Sequence, residues 1–414
     1  MRRAAWVLLL MFAFMVPWEY SMDFGIPLGN VARITGLLVL LAAIPAVLQA
    51  GRLRTPGLVQ WLVIALFLWF CCSYFWTIDT QGTIETIRGY FQVMMVVWLV
   101  WEFVESPSDL RAVLRATVAG SWVLAVLTFV DAGSIQAIAE GRIRYAAMGQ
   151  DPNDVARFLD LGFPLAALLL TSERRWPGRL LALGYLPIGL IAVLLTASRG
   201  GFLAALVALA GGGIMLVRGH TRAIVAGAFA LPAVAALLWF GIPREVFERL
   251  ATIPEQLQEG DLNQRLNIWS AGWDAFRQSP LIGSGAGSFV AAAGLNPLDT
   301  AHNTALSILV GGGLCGFLLA ICIVIAVARM AMQTRGNLRL ALIVVLVVWG
   351  ITSLVATVEE SRTTWLLLGL IAAAGRLGRE DGDRLAACFP GAVSGAGFDP
   401  NLDGLQAGLE SVGG

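Results

Sequence analysis

The sequence predicts an all-α, polytopic integral membrane protein of about twelve transmembrane helices, with a long periplasmic loop that carries amphipathic helices. Three observations predict it. Of the 414 residues, 57% are hydrophobic and only 14% are charged, against about 25% charged in ordinary soluble domains. Mean hydropathy is +0.75. The apolar residues also fall in runs long enough for bilayer-crossing helices, which need about 20 residues each. This composition excludes a soluble enzyme, a disordered scaffold and a secreted disulfide protein. The net charge of +0 gives no basis for a nucleic-acid partner. All 28 basic residues are Arg, so any anion site must be built from guanidinium groups.

Runs between polar breaks place spans near 4–18, 31–50, 58–76, 87–104, 111–130, 155–171, 180–197, 201–217, 223–240, 303–328, 338–357 and 363–376. Arg2 and Arg3 precede the first run, as in a signal peptide. Pro17, Trp18, Glu19 and Tyr20 leave no small-residue cleavage site, so this run is read as a retained helix. Orientation follows from the Arg bias. With the N-terminus inside, the cytoplasmic segments hold Arg2/Arg3, Arg52/Arg54, Arg111/Arg115, Arg174/Arg175/Arg179, Arg218/Arg222, Arg329/Arg335/Arg339 and Arg376/Arg379/Arg384. An even helix count returns the C-terminus to the cytoplasm. The transmembrane domain is therefore 1–376, including a periplasmic loop at 241–302. The Gly-, Ala- and Asp-rich segment 377–414 is expected to be a disordered cytoplasmic tail. Cys71, Cys72, Cys315, Cys322 and Cys388 lack ligand spacing and are read as small core residues. His220, in a short turn between Arg218 and Arg222, reads as a solvated loop residue.

The remaining Arg residues carry more information. Arg142, Arg144, Arg157, Arg199, Arg244, Arg249, Arg265, Arg277 and Arg362 fall on or near the outer face, where topology does not require them. One such residue simply snorkels at the interface. Grouped around one face, they point to an anionic ligand such as a phosphate. Two outer segments exceed what a connection needs, 131–154 and 241–302. In the second, Leu262, Leu266, Trp269, Trp273 and Phe276 recur at spacings of three and four, the stripe of an amphipathic helix. Arg265 and Asn267 lie off that stripe. Gly283-x-Gly285-x-Gly287 follows with no preceding strand and no βαβ unit, so a nucleotide loop is rejected in favour of a tight turn. Asp151-Pro-Asn153-Asp154 is a fragment of a calcium loop without the remaining ligands. An N-cap for the next helix is the better reading.

His302 follows Asp299-Thr300 and opens a spanning helix, which Asp299 or Thr300 is expected to cap. The positive helix end and nearby Arg disfavour imidazolium. A neutral imidazole is what a general base needs. Arg199, in the turn Ser198-Arg199-Gly200-Gly201, Arg265 and Arg362 come from three separate loops and are expected to converge with His302. No Asp-x-Asp or Cys/His signature accompanies them, so neither metal nor other cofactor is expected. In a metal-dependent alternative, Glu19 and Asp23 would be the ligands; as residues just past a span they read better as ordinary interface groups.

These same residues resemble the O-antigen ligase family, with its relatives the O-antigen polymerases and protein O-oligosaccharyltransferases. The matching pieces are Ser198-Arg199-Gly200-Gly201; Arg265-Leu-Asn-Ile-Trp269-x-x-Gly-Trp; Pro280-Leu-Ile-Gly283-x-Gly285-x-Gly287-x-Phe289; Ala301-His302-Asn303-x-x-Leu306; and Gly313-x-x-Gly316. Asp151-Pro-Asn153-Asp154 is similar to the segment before a central helix of that family. The resemblance implies a bacterial inner-membrane glycosyltransferase of lipopolysaccharide biosynthesis. Its donor would be a glycan on undecaprenyl pyrophosphate, and its acceptor a sugar hydroxyl of the lipid A core. It implies His302 as the base and Arg199 and Arg265 as the groups that hold the leaving pyrophosphate, with inversion and without metal. Arg142, Arg144, Asp151, Asn153, Arg157, Trp269, Gly285, Asn303 and Arg362 are expected to form the substrate site, among membrane lipids as solvent. The alternatives are a polymerase of the same superfamily, then a protein O-oligosaccharyltransferase, then a lipid or solute transporter. A transporter usually shows internal repeats and midplane polar groups, which are not evident here.

Overall fold

Long apolar runs without water can satisfy their backbone only as helices, and the computed structural model follows that rule. It describes residues 1–21, 29–134, 144–147, 150–218, 242–254, 265–297 and 299–390. Among them there are helices and turns and no strand. The helices are α1 (Arg2–Met15, prolonged by a 3-10 turn, Val16–Ser21), α2 (Val31–Ala50), α3 (Leu58–Ser73), α4 (Thr80–Phe103) and α5 (Pro107–Ala132). Next come α6 (Pro152–Ser172), α7 (Trp176–Leu195), α8 (Arg199–Val217), α9 (Arg244–Ala251), α10 (Arg265–Gln278) and α11 (Phe289–Ala292). The last four are α12 (Thr304–Met332), α13 (Gly336–Ser353), α14 (Arg362–Glu380) and α15 (Gly382–Cys388).

Eight of these are long and apolar enough to cross a membrane: α1 with its extension, α2, α5, α6, α7, α8, α12 and α13. The chain is thus an all-α polytopic membrane protein. Three further predicted spans are also helices. α3 is apolar but has only 16 residues. α4 begins before its apolar run, because Asp79 caps it by accepting from the Gly82 amide at 2.9 Å. α14 coincides with the run 363–376. The predicted span 223–240 lies outside the described residues, as do Asp23, Arg142, His220 and Leu262.

Two helices organise the packing. α6 is buried along most of its length and is surrounded by α5, α7, α8 and α13. α14 is buried between α4 and α12. Two expectations fail here. Residues 382–388 of the expected tail form α15, because Phe389 is buried beneath the Arg111 guanidinium and Arg111 also donates to the Cys388 carbonyl. The cysteines are free and none is buried; Cys72, Cys315 and Cys322 are exposed. In a membrane protein the outer surface is itself apolar, so a small apolar residue does not imply a core position.

The feature that matters most for the site is a break in α12. Gly313 adopts φ +63 and ψ −167 in mid-helix. The segment Pro280–Gly285 fills the break. Leu314 and Cys315 amides donate to the Pro280 and Leu281 carbonyls at 2.9 and 3.2 Å, and Ser284 and Gly285 amides donate to the Val310 and Gly311 carbonyls at 2.8 and 3.0 Å. Trp69 donates to the Gly312 carbonyl at 2.9 Å. Close backbone approach explains the glycines: a Cβ on Gly283 would lie 2.5 Å from the Gly311 oxygen. Gly-x-Gly-x-Gly is therefore a clamp on a broken helix.

On the orientation expected from the Arg distribution, α10 lies on the periplasmic side. In a background with the five cysteines replaced, Asp274→Cys on exposed α10 should react with an impermeant maleimide in intact spheroplasts. Arg335→Cys, at the start of α13, should react only after the inner membrane is opened. The opposite pattern would invert the topology.

Candidate active site

Four short pieces of chain meet where α7 turns into α8. Ser198 caps α8, its Oγ accepting from the Gly201 amide at 3.2 Å and donating to Asn153 Oδ1 at 2.8 Å. Asn153 stands in the first turn of α6, which Asp151 caps by accepting from the Asn153 amide at 2.7 Å; the N-cap reading of this segment holds. Arg144 donates to the same Asn153 oxygen at 2.9 Å and to the Thr196 carbonyl at 3.2 Å. From α9, Arg249 donates to the Ala197 carbonyl at 3.1 Å, and Arg199 donates to the Arg249 carbonyl at 3.4 Å. Asn153, Arg157, Ser198, Gly200, Gly201 and Arg265 line a narrow cavity, closed by Thr352 at the end of α13 and by Val355 and Ala356 beyond it.

His302 reaches this region from α12. Asn303 caps that helix, accepting from the Leu306 amide at 3.0 Å. This corrects the expected cap: Asp299 instead accepts from the Asn296 amide at 3.1 Å. Trp269 on α10 donates to the Ala301 carbonyl at 3.1 Å. Thr304 donates to the Ala356 carbonyl at 2.8 Å and accepts from the Val358 amide at 2.9 Å. One hydroxyl thus ties the His302 corner to the turn that closes the cavity. Two non-glycine residues have positive φ among the described residues, Ala197 at +47 and His302 at +46. Such geometry costs on the order of 1–3 kcal/mol and gathers at functional sites. Both residues flank this site.

The electrostatics are those of partly dehydrated cations set close together. Burial lowers Arg144, and Arg249, Arg265 and Arg199 lower it further against the pull of Asp151. Burial and then Arg199 lower Arg249. Burial lowers Arg265, opposed by Asp151. Arg157 is 4% exposed, is ion-paired to Asp154 at 3.1 Å, and keeps two buried nitrogens without partners. Crowded, half-dry guanidinium groups are stabilised by a bound phosphate. Burial lowers His302 as well, and Arg265 adds to the effect against Asp151, Asp154 and Asp299. The imidazole is therefore neutral at neutral pH.

The structure brings together Arg144, Asp151, Asn153, Arg157, Arg199, Arg265 and His302. Trp269 and Asn303 position the His302 corner through backbone groups. Gly285 is packed against Thr77 and takes part in the clamp on α12. Arg362 stands apart: it donates to Glu19 at 2.5 Å and to Gln92 at 2.6 Å. Arg249 stands out in the sequence only as one of the outer basic residues; nothing there marks its partnership with Ala197. Asn267 and Trp273 are exposed, and α10 buries Gly272 and Ala275 instead. Among the described residues no three His, Cys, Asp or Glu side chains stand together as a metal would require.

Residues 184–321 match the family model described as O-Antigen ligase. Over this third of its length the chain is similar to the O-antigen ligase family. The matched segment carries Arg199, Arg249, Arg265 and His302, together with the broken helix and its glycine clamp. No curated protein matches the chain. Members of the O-antigen ligase family are glycosyltransferase-like enzymes of O-antigen processing, and Arg144, Asn153 and Arg157 join the site from outside the matched segment.

The His302 environment can be measured directly. In a His220→Gln background, the pH dependence of diethylpyrocarbonate modification reports His302 alone. The midpoint should lie below the ordinary value of 6.5, because burial and Arg265 both disfavour imidazolium. Arg265→Gln should move it upward. A midpoint above 6.5 in the parent, or no movement in the variant, would contradict the assigned environment.

Proposed function

We propose that the chain transfers a glycan from undecaprenyl pyrophosphate to a sugar hydroxyl of the lipid A core at the periplasmic face of the bacterial inner membrane. The observation that carries this reading is a half-buried, neutral His302 beside Arg265, which lines the cavity with Arg157 and is itself close to Arg144, Arg199 and Arg249. The acceptor hydroxyl gives its proton to His302. Its oxygen bonds to the anomeric carbon as the bond from that carbon to the pyrophosphate oxygen breaks. The electron pair leaves with the pyrophosphate, so the configuration inverts. Charge grows on the leaving group in the transition state, and guanidiniums already fixed around it stabilise that charge without reorganising. Bidentate Arg suits a phosphate better than a point charge does. Arg265 has a second role, since its charge also keeps His302 free to accept the proton.

His302→Gln should lower the transfer rate by about 10²–10⁴-fold, the usual loss of a general base, with donor affinity little changed. Arg199→Ala and Arg265→Ala should lose both affinity and rate, and Lys at either position should rescue poorly. Near-normal turnover in a stably folded His302→Gln protein would remove the base. Full activity in both Lys variants would remove the bidentate clamp. In cells without the protein, lipopolysaccharide on a gel should lack long-chain material while lipid-linked polymer accumulates. A core bearing a single repeat unit would indicate a polymerase instead.

A further inference from the structure

A second cavity is formed by other helices. Between α2 and α4 runs an apolar groove. Its upper part, about 860 Å³, is lined by Phe12, Gly36, Leu37 and Phe91, and its lower part, also about 860 Å³, by Ala43, Ile44, Val47 and Trp98; Leu40, Met95 and Leu99 line both. Leu37, Ile44 and Leu48 on α2 remain exposed along it, so no helix among the described residues fills it. At its upper end the groove widens into a polar cup of about 650 Å³ that takes in Asn30, Arg33, Arg88, Gln92, Glu360 and Arg362.

The cup is lined by Arg33, Arg88 and Arg362 together with Glu85 and Glu360. Glu19 is fully buried and spoken for by Arg362. Glu360 accepts from Thr86 at 3.0 Å, and burial raises it to about 7 against the pull of Thr86, Arg362 and Arg88. Glu85 accepts from Gln81 at 2.6 Å. Arg33 and Arg88 form no salt bridge among the described residues, and Arg33 Nε is buried without a partner. Two available guanidiniums at the mouth of a hydrocarbon groove match an amphiphile with phosphate on its head. The cup is also wide and polar enough for sugar residues.

The wall between this cup and the His302 cavity is thin. Tyr20 lines the cup and stacks on Phe158 with ring centroids 6.5 Å apart. Arg157 lies 4.4 Å above the same Phe158 ring and lines the other cavity. We propose that the α2–α4 groove holds an acyl chain of the acceptor, a phosphorylated saccharide lipid, with its phosphate on Arg33 and Arg88 and its sugars directed past Tyr20 toward His302. This rests on the transfer reading, because that reaction must hold two lipids at once and the Arg199–Arg265 cluster accounts for only one.

Direct binding separates the two ideas. Purified full-length protein in detergent would be titrated by native mass spectrometry with core-bearing lipid A, undecaprenyl pyrophosphate and phosphatidylglycerol. Arg33→Ala/Arg88→Ala, and separately Leu40→Trp to fill the groove, should weaken core-bearing lipid A about tenfold or more and leave undecaprenyl pyrophosphate unchanged. Thermal stability checked beside the parent shows that each variant is folded, and retained binding of undecaprenyl pyrophosphate serves the same purpose. Loss of undecaprenyl pyrophosphate binding would make this the donor groove. Equal loss for phosphatidylglycerol would make it a general anionic-lipid site, and unchanged lipid A binding would leave it without the acceptor; each overturns the proposal. Because no transfer is read, these results stand whether or not the transfer reading fails.

Discussion

A backbone amide or carbonyl in an apolar solvent has nowhere to turn but to another part of the chain. The break in α12 at Gly313 depends on that constraint. Opening a helix there frees several backbone groups, and the loop Pro280–Gly285 pairs with them on both sides of the break. Only glycine allows the two backbones to come this close. The consequence reaches well beyond the clamp. The loop is the continuation of α10, so fixing it on α12 fixes α10 as well, and Trp69 closes the assembly from α3. Arg265 begins α10 and His302 precedes α12. Their relation to one another is thus set by a joint that touches neither.

The charges at the site form the second tier of the design. Arg144, Arg199, Arg249 and Arg265 are brought together at some cost, since each is partly dehydrated and faces the others. Asp151 and Asp154 offset part of that cost without neutralising the group. Arg144, Arg199 and Arg249 are held mainly by carbonyls and by Asn153, which orient a guanidinium but leave its charge available. Arg362 is treated in the opposite way: Glu19 takes up its charge inside the bundle. The contrast separates cations whose charge is left available from a cation that ties helices together.

Much of this was legible in the sequence. Apolar runs located eleven of the twelve expected helices, because period and length are local properties. Ser198-Arg199-Gly200-Gly201 and Arg265 stand out because a basic residue without a topological task needs another, and Ser198, Gly200, Gly201 and Arg265 line one cavity. Asn303 as the cap was missed, since Asp299, Thr300 and Asn303 are all good caps and only the turn geometry chooses among them. Arg362 was placed with the other Arg because its partner, Glu19, lies more than three hundred residues away in the chain. The partnership of Arg249 with Ala197 and the role of Thr304 as a bridge to Ala356 are long-range pairings of the same kind. The glycine clamp was read only as a turn, because its partner is a helix break that an unbroken apolar run conceals.

The central claim is that the cluster around Arg199 and Arg265 receives a pyrophosphate beside His302. The most direct measurement is an electron cryomicroscopy structure of the full-length protein with undecaprenyl pyrophosphate bound. The account predicts density for the two phosphates within hydrogen-bonding reach of the Arg199 and Arg265 guanidiniums, with the terminal phosphate oxygen that would carry the glycan facing His302. Density for the pyrophosphate at Arg33 and Arg88, with the Arg199 cluster empty, would contradict it.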